Sequence, residues 1–239
     1  MGEKPVTRIL IPSCGPSVWR QLLADPEKHW IRGASAFETA VSWEAARHSE
    51  RGIPAPIVAL LDTQEQLASA TALIVLPEHK VKLEGRGKAS QNDVWALLKT
   101  PGGYVSMSVE GKAGETFGDP LWDWLRNASP GKLARLQHLC KVLGAQHPPD
   151  HALRYQLFHR TASALIEAER FGAAHAVMIV QSFRSDPVSL TDYIAFGAAL
   201  GATVSDGQLA KVPRTTGPTL YLGWVTCEPA TDRQVASVV

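Results

Sequence analysis

The pattern of hydrophobic and polar residues predicts helices and strands that together form one mixed central sheet flanked by helices, an α/β fold. The first clear helix is expected at 36–49, where apolar residues recur on one face. Ser35 and Glu38 have the spacing of a capping box at its start. Glu44 lies on the same face as the apolar residues, so a carboxylate is expected on the side that faces the protein.

A β-hairpin is the clearest feature of the sequence. Residues 93–98 form an apolar run, Thr100-Pro101-Gly102-Gly103 has the composition of a turn, and residues 104–112 alternate between polar and apolar. The extended segment 71–83, interrupted near Pro77, is expected to be an earlier strand. The sequence therefore predicts three consecutive strands after the first helix.

Later segments predict the rest of the fold. Three further helices are expected at 131–143, 152–171 and 191–200. Two further strands are expected at 173–183 and Thr219–Thr226. Residues 201–217 are expected to form a loop, and the tail after Glu228 is expected to be frayed. The last strand is expected at an exposed edge of the sheet, where it would pair two subunits in a homodimer.

Composition is that of an ordinary globular protein. The chain has 239 residues, 45% hydrophobic and 20% charged, which suits one domain over 1–239, with a cap at 1–35, a core at 36–183 and an extension at 184–239. The apolar patch at 9–11 is too short for a signal peptide, and no run approaches the roughly 20 apolar residues of a membrane helix. A cytoplasmic protein with no membrane partner is expected. The three cysteines form no CxxC pair, so neither a disulfide framework nor a zinc site is predicted.

The candidate chemistry lies on the hairpin. Glu110 and Lys112 are two residues apart in a strand, so both project from one face, and Gly111 between them permits close backbone approach. Asp93 opens the preceding strand and is expected to meet Glu110 across the hairpin. Two neighbouring carboxylates repel unless a cation lies between them, and oxygen ligands are what Mg²⁺ prefers. The hypothesis is a Mg²⁺ (or Mn²⁺) site on Asp93, Glu110 and the Gly111 carbonyl, with Lys112 assisting an attacking water.

The acidic residue, the hairpin and the E-x-K motif together resemble the PD-(D/E)XK nuclease superfamily. Its restriction endonuclease-like αβββαβ core matches 36–183 with one extra helix. The resemblance implies that Asp93, Glu110 and Lys112 are catalytic and that Glu44 on the first core helix helps to hold the metal. The sequence departs from the motif at Asn92, where the superfamily often has Pro. The chain also resembles a bacterial family with phrases such as PEHKV, SQND, VEGK and HRTASALIEA, which implies no particular function.

The resemblance also implies that a polar residue on the helix at 152–171 touches the site or a phosphate, and Gln156 and Arg160 are the candidates. A plain solvated face is the competing interpretation. His159 is expected to be a packed histidine, and Trp122 and Trp124 core or interface anchors. Basic residues that would line the site or protect an edge strand are Lys80, Lys82, Arg86, Lys88 and Lys99.

Two functions are therefore carried forward. The first is a metal-dependent nuclease that hydrolyses phosphodiester bonds of DNA in restriction, repair or phage defence. The second is a non-catalytic nucleic-acid- or protein-binding module on the same scaffold, which the net charge of +1 favours because it is not that of a polycation. The alternative to a metal site at the E-x-K motif is a plain salt bridge between Glu110 and Lys112 on an exposed face.

Overall fold

A computed structural model describes residues 15–85 and 87–238. Its strands form one open, mixed sheet with the spatial order β1-β2-β3-β4-β6-β5. The six strands of the described residues are β1 (Thr71–Val81), β2 (Ser90–Thr100), β3 (Gly103–Lys112), β4 (His175–Ser182), β5 (Leu209–Lys211) and β6 (Thr219–Thr226).

The sheet combines an antiparallel half with a parallel half. Strands β1, β2 and β3 form an antiparallel meander, whereas β3, β4 and β6 run parallel and β5 closes the far edge antiparallel to β6. Strand β3 belongs to both halves and pairs with β2 on one side and with β4 on the other. The E-x-K motif at 110–112 lies beyond the end of the β2 ladder and is held in register by β4.

Helices cover both faces of the sheet. In the described residues they are α1 (Pro16–Arg20), α2 (Pro26–His29), α3 (Ser35–Ala46), α4 (Ala55–Leu61), α5 (Leu121–Trp124), α6 (Pro130–Leu143), α7 (Tyr155–Phe171), α8 (Pro187–Ala199) and α9 (Asp232–Val238). Helices α1, α3 and α4 contribute to one apolar cluster, on the face that carries Val94 and Val109. Helices α6, α7 and α8 contribute to the second cluster, on the opposite face. The α/β fold predicted from the sequence is confirmed.

Several predicted boundaries agree closely with the structure because their local chemistry is distinctive. Ser129 caps α6 by accepting a hydrogen bond from the Lys132 backbone N–H, and Gly144 ends it in the left-handed conformation. Strand β6 begins and ends where the sequence predicted. Strand β2 is longer than predicted, because it also pairs with β1, so Asp93 lies inside the strand and does not open it.

The capping box predicted for the first helix is wrong. Ala34 is the N-cap of α3 and provides no side-chain acceptor. Glu38 instead accepts hydrogen bonds from the backbone N–H groups of Gly33 and Ala230, at 2.9 and 2.6 Å. The Ser35 N–H is taken by Glu115, 3.1 Å away. Glu38 therefore ties the start of α3 to the C-terminal segment.

The predicted position of the last strand is also wrong. Strand β6 lies between β4 and β5, so it is internal, and the two edges of the sheet are β1 and β5. The edge that was expected to pair two subunits is thus covered by Leu209–Lys211, which the sequence had indicated as loop. The tail after Glu228 is not frayed throughout, since it contains α9.

Across the described residues, no helix combines the length and apolar character needed to cross a membrane. The predictions for Met1 to Cys14, including the apolar patch at 9–11, lie outside the described residues, and so does that for Arg86.

Candidate active site

The β2–β3 hairpin brings Asp93 close to Glu110. Val94 and Val109 are the last pair of the antiparallel ladder, and Asp93 and Glu110 are the residues that come next to this pair on the two strands. Residues that face each other in an antiparallel pair project from the same side of the sheet. The Asp93 carboxylate accepts a hydrogen bond from the Gly111 N–H at 2.8 Å, which fixes it against β3. The predicted convergence of these two strands is therefore present.

Glu110 is the centre of the polar cluster. It is 3% exposed, and both of its carboxylate oxygens have partners. Oε1 accepts hydrogen bonds from Lys112 Nζ at 2.8 Å and from Gln156 Nε2 at 2.7 Å, and Oε2 accepts one from Arg160 Nε at 2.5 Å. A buried carboxylate needs this degree of compensation, because an unpaired charge out of water is strongly destabilising.

Lys112 lies on the same face as Glu110, as its spacing predicted. Its ammonium group is 3.4 Å from Gln156 Oε1 and 4.8 Å from the centre of the Phe117 ring. The Glu110–Lys112 salt bridge weighed as an alternative does form, but it is buried, with 4% and 6% of the side chains exposed. Lys112 also lines a cavity of about 430 Å³ together with Gln156 and Arg160, so this amine borders a space that a ligand can enter.

Helix α7 supplies the remaining residues of the cluster. Gln156 and Arg160 are four residues apart, so they lie on one face of the helix, and that face packs on β3. Arg160 is 9% exposed and lies between the two carboxylates, with Nη2 3.8 Å from Asp93 Oδ1. The sequence named both residues as possible site residues, and the structure brings both to Glu110. The competing interpretation, that these residues form a solvent-exposed helix face, does not hold for Arg160 because Arg160 is buried.

Glu78 is a further member of the cluster. The sequence allowed it either to line the cleft or to be the exposed end of a strand, with the strand end favoured. In the structure it is half-buried on β1 and accepts a hydrogen bond from Gln91 Nε2 at 2.7 Å. Pro77 pairs with Val94 and His79 with Asn92, which places Glu78 beside Asp93. Counting residue pairs between β1 and β2 would have placed Glu78 next to Asp93, but a bulge between Ala72 and Ile74 shifts the pairing by one residue.

The electrostatics of the cluster separate its carboxyl groups. Burial and the neighbouring Glu110 raise the pKa of Asp93 to about 7, and burial and Asp93 raise the pKa of Glu78 to about 8. Burial also acts to raise the pKa of Glu110, but the charges of Arg160 and Lys112 outweigh it and hold that pKa at about 2. Three carboxyl groups thus face two cations, and the excess of negative charge is relieved by proton uptake on Asp93 and Glu78.

Glu44 is held by other partners. Its carboxylate is buried on α3 and accepts hydrogen bonds from Trp19 Nε1 at 2.8 Å and from Arg47 Nη1 at 3.2 Å. The part of α3 that comes closest to the E-x-K motif is Thr39, whose Oγ1 occupies the place where a Cβ on Gly111 would lie. The metal-supporting role that the resemblance implied for Glu44 has no counterpart among these contacts.

The other predicted residues fall on either side of the cluster. His159 is held by a 2.8 Å hydrogen bond between Nδ1 and Ser90 Oγ, as expected of a packed histidine. Burial, with the charge of Arg160, lowers the pKa of His159 to about 3, so its ring is neutral at pH 7. Lys99 lies six residues along β2 from Asp93, about 20 Å away at the rise of a strand, so it does not border the site.

The donor types of the cluster suit a divalent cation such as Mg²⁺. Asp93 and Glu78 offer carboxyl groups whose raised pKa a bound cation would lower, and carboxylate oxygens are the ligands that Mg²⁺ prefers. In the present arrangement, Glu110 is occupied by Lys112, Gln156 and Arg160. Within 15–85 and 87–238, no three His, Cys, Asp or Glu side chains are already arranged to hold a metal ion.

Comparison with known proteins places the chain in one family. Residues 12–229 match the model of a family described as a domain of unknown function (DUF6946), and the chain belongs to that family. Searches of the curated proteins and of the solved structures found no match. The function has therefore to be argued from the site itself.

Proposed function

We propose that this protein is a metal-dependent phosphodiesterase of the PD-(D/E)XK type that hydrolyses nucleic acid, with DNA as the first substrate to test. The observation that carries the proposal is the convergence of Asp93, Glu110 and Lys112 on one hairpin, with Gln156 and Arg160 against them. Lys112 lines a cavity, and the two carboxylates lie next to it. Carboxylates that hold a metal ion, together with a neighbouring lysine, can catalyse phosphodiester hydrolysis.

The order of elements supports the same proposal. Helix α3, the meander β1–β2–β3, helix α7 and strand β4 follow one another along the chain, with β4 parallel to β3. This is the αβββαβ order of the superfamily core, with α4, α5 and α6 added. The three candidate catalytic residues lie on the second and third strands of the meander, where that superfamily carries them.

Each residue has a role that follows from its contacts. Asp93, with Glu78 beside it, would hold Mg²⁺ or Mn²⁺, which when bound polarises the phosphate and acidifies a bound water. Lys112 borders the cavity, where its amine donates hydrogen bonds to the attacking water or to a phosphate oxygen and offsets developing negative charge. Gln156 holds Lys112 and Glu110 in their relative positions, because its amide contacts both. Arg160 has the planar fork that binds phosphate oxygens in pairs.

The decisive experiment measures cleavage of plasmid DNA and of a single-stranded oligonucleotide in the presence of Mg²⁺ or Mn²⁺. Wild type is compared with Lys112→Ala and Asp93→Asn, and Lys99→Ala is the matched control because Lys99 is exposed and distant from the site. We expect the two site variants to lose cleavage by a factor of about 10² or more, since each removes a group that acts on the reacting atoms. Equal cleavage by Lys112→Ala and wild type would remove the catalytic assignment.

A non-catalytic binding module is the second candidate, and one observation favours it. Glu110 is already neutralised by Lys112 and Arg160, so this carboxylate needs no metal to be stable in the fold. Titration calorimetry with Mn²⁺ separates the two candidates. The phosphodiesterase predicts a heat of binding that Asp93→Asn abolishes, and the module predicts none that depends on Asp93.

A further inference from the structure

A second cavity adjoins the candidate active site. Its volume is about 620 Å³, within the range of about 300–1,000 Å³ typical of ligand sites. It shares Trp124, Tyr155 and His159 with the cavity that Lys112 and Arg160 border. The two cavities therefore lie side by side as the two halves of one groove, and the shared residues make its middle wall.

The distal half of this groove carries positive charge only. Lys88, Lys132 and Arg135 line it, and none of its described lining residues is Asp or Glu. The Arg135 guanidinium is fixed by a 2.8 Å hydrogen bond from Nη1 to the Lys88 carbonyl, which holds the loop before β2 against α6. Three cations without an opposing carboxylate favour a polyanion, and a fixed arginine binds phosphate with little loss of side-chain entropy.

The middle wall is aromatic. Trp124 and Tyr155 stack with ring centroids 3.8 Å apart and an angle of 12° between their planes, and both are half-buried. Lys132 Nζ lies 5.0 Å from the centre of the Trp124 ring. Lys132 therefore lies over the Trp124 face that Tyr155 leaves open, and an unpaired base stacks on that face when the lysine moves aside to a phosphate. Rings beside cations are the combination that nucleic-acid-binding proteins use for unpaired bases.

We propose that this groove, here called the basic groove and defined by Lys88, Lys132, Arg135, Trp124 and Tyr155, binds a single strand of nucleic acid that leads to or from the active site. The proposal rests on the proposed function only in placing the scissile phosphate at Lys112. Unpaired bases lie against the Trp124–Tyr155 wall, and the next phosphates along the strand contact Lys132, Lys88 and Arg135. A duplex keeps its bases stacked inside, so the aromatic wall adds nothing to duplex binding.

The test is fluorescence anisotropy of a labelled oligothymidine and of a matched duplex, with the full chain in EDTA so that no cleavage occurs. Wild type is compared with Lys88→Ala/Lys132→Ala and with Trp124→Leu. The matched control is Lys141→Ala/Lys211→Ala, which removes the same charge from exposed lysines that do not line the groove. Circular dichroism and thermal unfolding establish that each variant is folded.

We expect wild type to bind the single strand more tightly than the duplex. The Lys88/Lys132 variant should weaken single-strand binding and reduce the slope of log K against log salt by about 0.7 for each phosphate that is no longer bound. Trp124→Leu should weaken it by a factor of about 5 to 150, the range for one stacked base. The control variant should bind as wild type does.

Equal affinity for duplex and single strand, or an equal loss in the control variant, would overturn the single-strand proposal. Should Trp124→Leu fail to fold, the lysine pair still decides the outcome. The result is independent of catalysis. If wild type binds the single strand but does not cleave it in Mn²⁺, the proposed function is refuted and the single-strand binding site stands. If wild type cleaves and the groove variants cleave equally well, the proposed binding site alone is refuted.

Discussion

Thr39 Oγ1 lies so close to the backbone of Gly111 that a Cβ on this glycine would overlap it. This proximity joins α3 to the central residue of the E-x-K motif, and it explains in physical terms why a glycine stands between Glu110 and Lys112. A side chain at this position would also meet Asp93 Oδ2 and the Ser35 carbonyl, both at 3.4 Å.

Gly111→Ala is therefore expected to destabilise the protein by about 1–3 kcal/mol, the usual cost of overpacking a core site. Thr39→Ala should restore most of the loss in the double variant, because it removes the atom that clashes. Urea denaturation of the wild type, both single variants and the double variant gives the coupling free energy. Additive single effects would contradict this explanation of the glycine.

Arg160 is expected to stabilise the fold through Glu110. Arg160→Met removes the partner of a buried carboxylate oxygen, which typically costs about 3–5 kcal/mol. Glu110→Gln breaks the same ion pair from its other side, so the double variant should lose less stability than the two single variants together. Thermal unfolding of the four proteins at constant pH measures this coupling. A double variant whose loss equals the sum of the two single losses would mean that the ion pair is not the source of the stability.

The pKa of Asp93 predicts a specific pH dependence of stability in the absence of divalent cations. A carboxyl group whose pKa is raised from 3.8 to about 7 by folding keeps its proton longer in the folded state. Its contribution is full below pH 3.8 and is lost as the pH rises to 7, at about 1.4 kcal/mol per pH unit. Glu78 acts in the same direction up to about pH 8. His159 acts in the opposite direction below pH 6.5, because its pKa is lowered to about 3.

The contribution of Asp93 is isolated by comparison with Asp93→Asn. Relative to this variant, wild type should become progressively less stable between pH 4 and pH 7, as measured by urea unfolding in EDTA. His159 is present in both proteins and cancels in the difference. A difference that does not change with pH would show that Asp93 ionises normally in the folded protein.

Glu38 is expected to hold the C-terminal segment in place. Its two oxygens accept hydrogen bonds from the backbone N–H groups of Gly33 and Ala230, so Glu38→Ala leaves both donors without this partner. We expect faster hydrogen exchange at Ala230 and a stability loss of about 1–3 kcal/mol. Glu65→Ala, at an exposed position, is the matched control. Unchanged exchange at Ala230 would mean that α9 is anchored elsewhere.

The sequence predicted most of the elements and the centre of the site because these depend on local signals. Alternation identified the hairpin, and the two-residue period of a strand placed Glu110 and Lys112 on one face. Gln156 and Arg160 could be proposed because a helix brings residues four apart together. What they touch could not be derived, because it depends on how α7 docks on the sheet.

The errors in the prediction have the same origin. Glu44 was placed correctly on the inner face of its helix. A helical wheel shows which way a side chain points but not which residues it contacts, and the partner of Glu44, Trp19, comes from another helix. Glu78 could not be assigned to the site with preference over a strand end, because its position follows from the pairing of β1 with β2, which contains a bulge. The short strand β5 has too few residues for a period to be recognised, and its pairing with β6 was hidden for that reason.

The site is assembled from contacts of very different separation along the chain. The hydrogen bond from Gly111 to Asp93 spans 18 residues, whereas that from Arg160 to Glu110 spans 50. Because short loops close at a smaller entropic cost than long ones, the hairpin is expected to bring its acidic groups together early in folding. The arginine arrives only when α7 docks. A folding chain thus passes through a stage in which Lys112, on the hairpin itself, is the cation that faces the gathered carboxylates, and the compensation of Glu110 is completed by the later contact with the arginine.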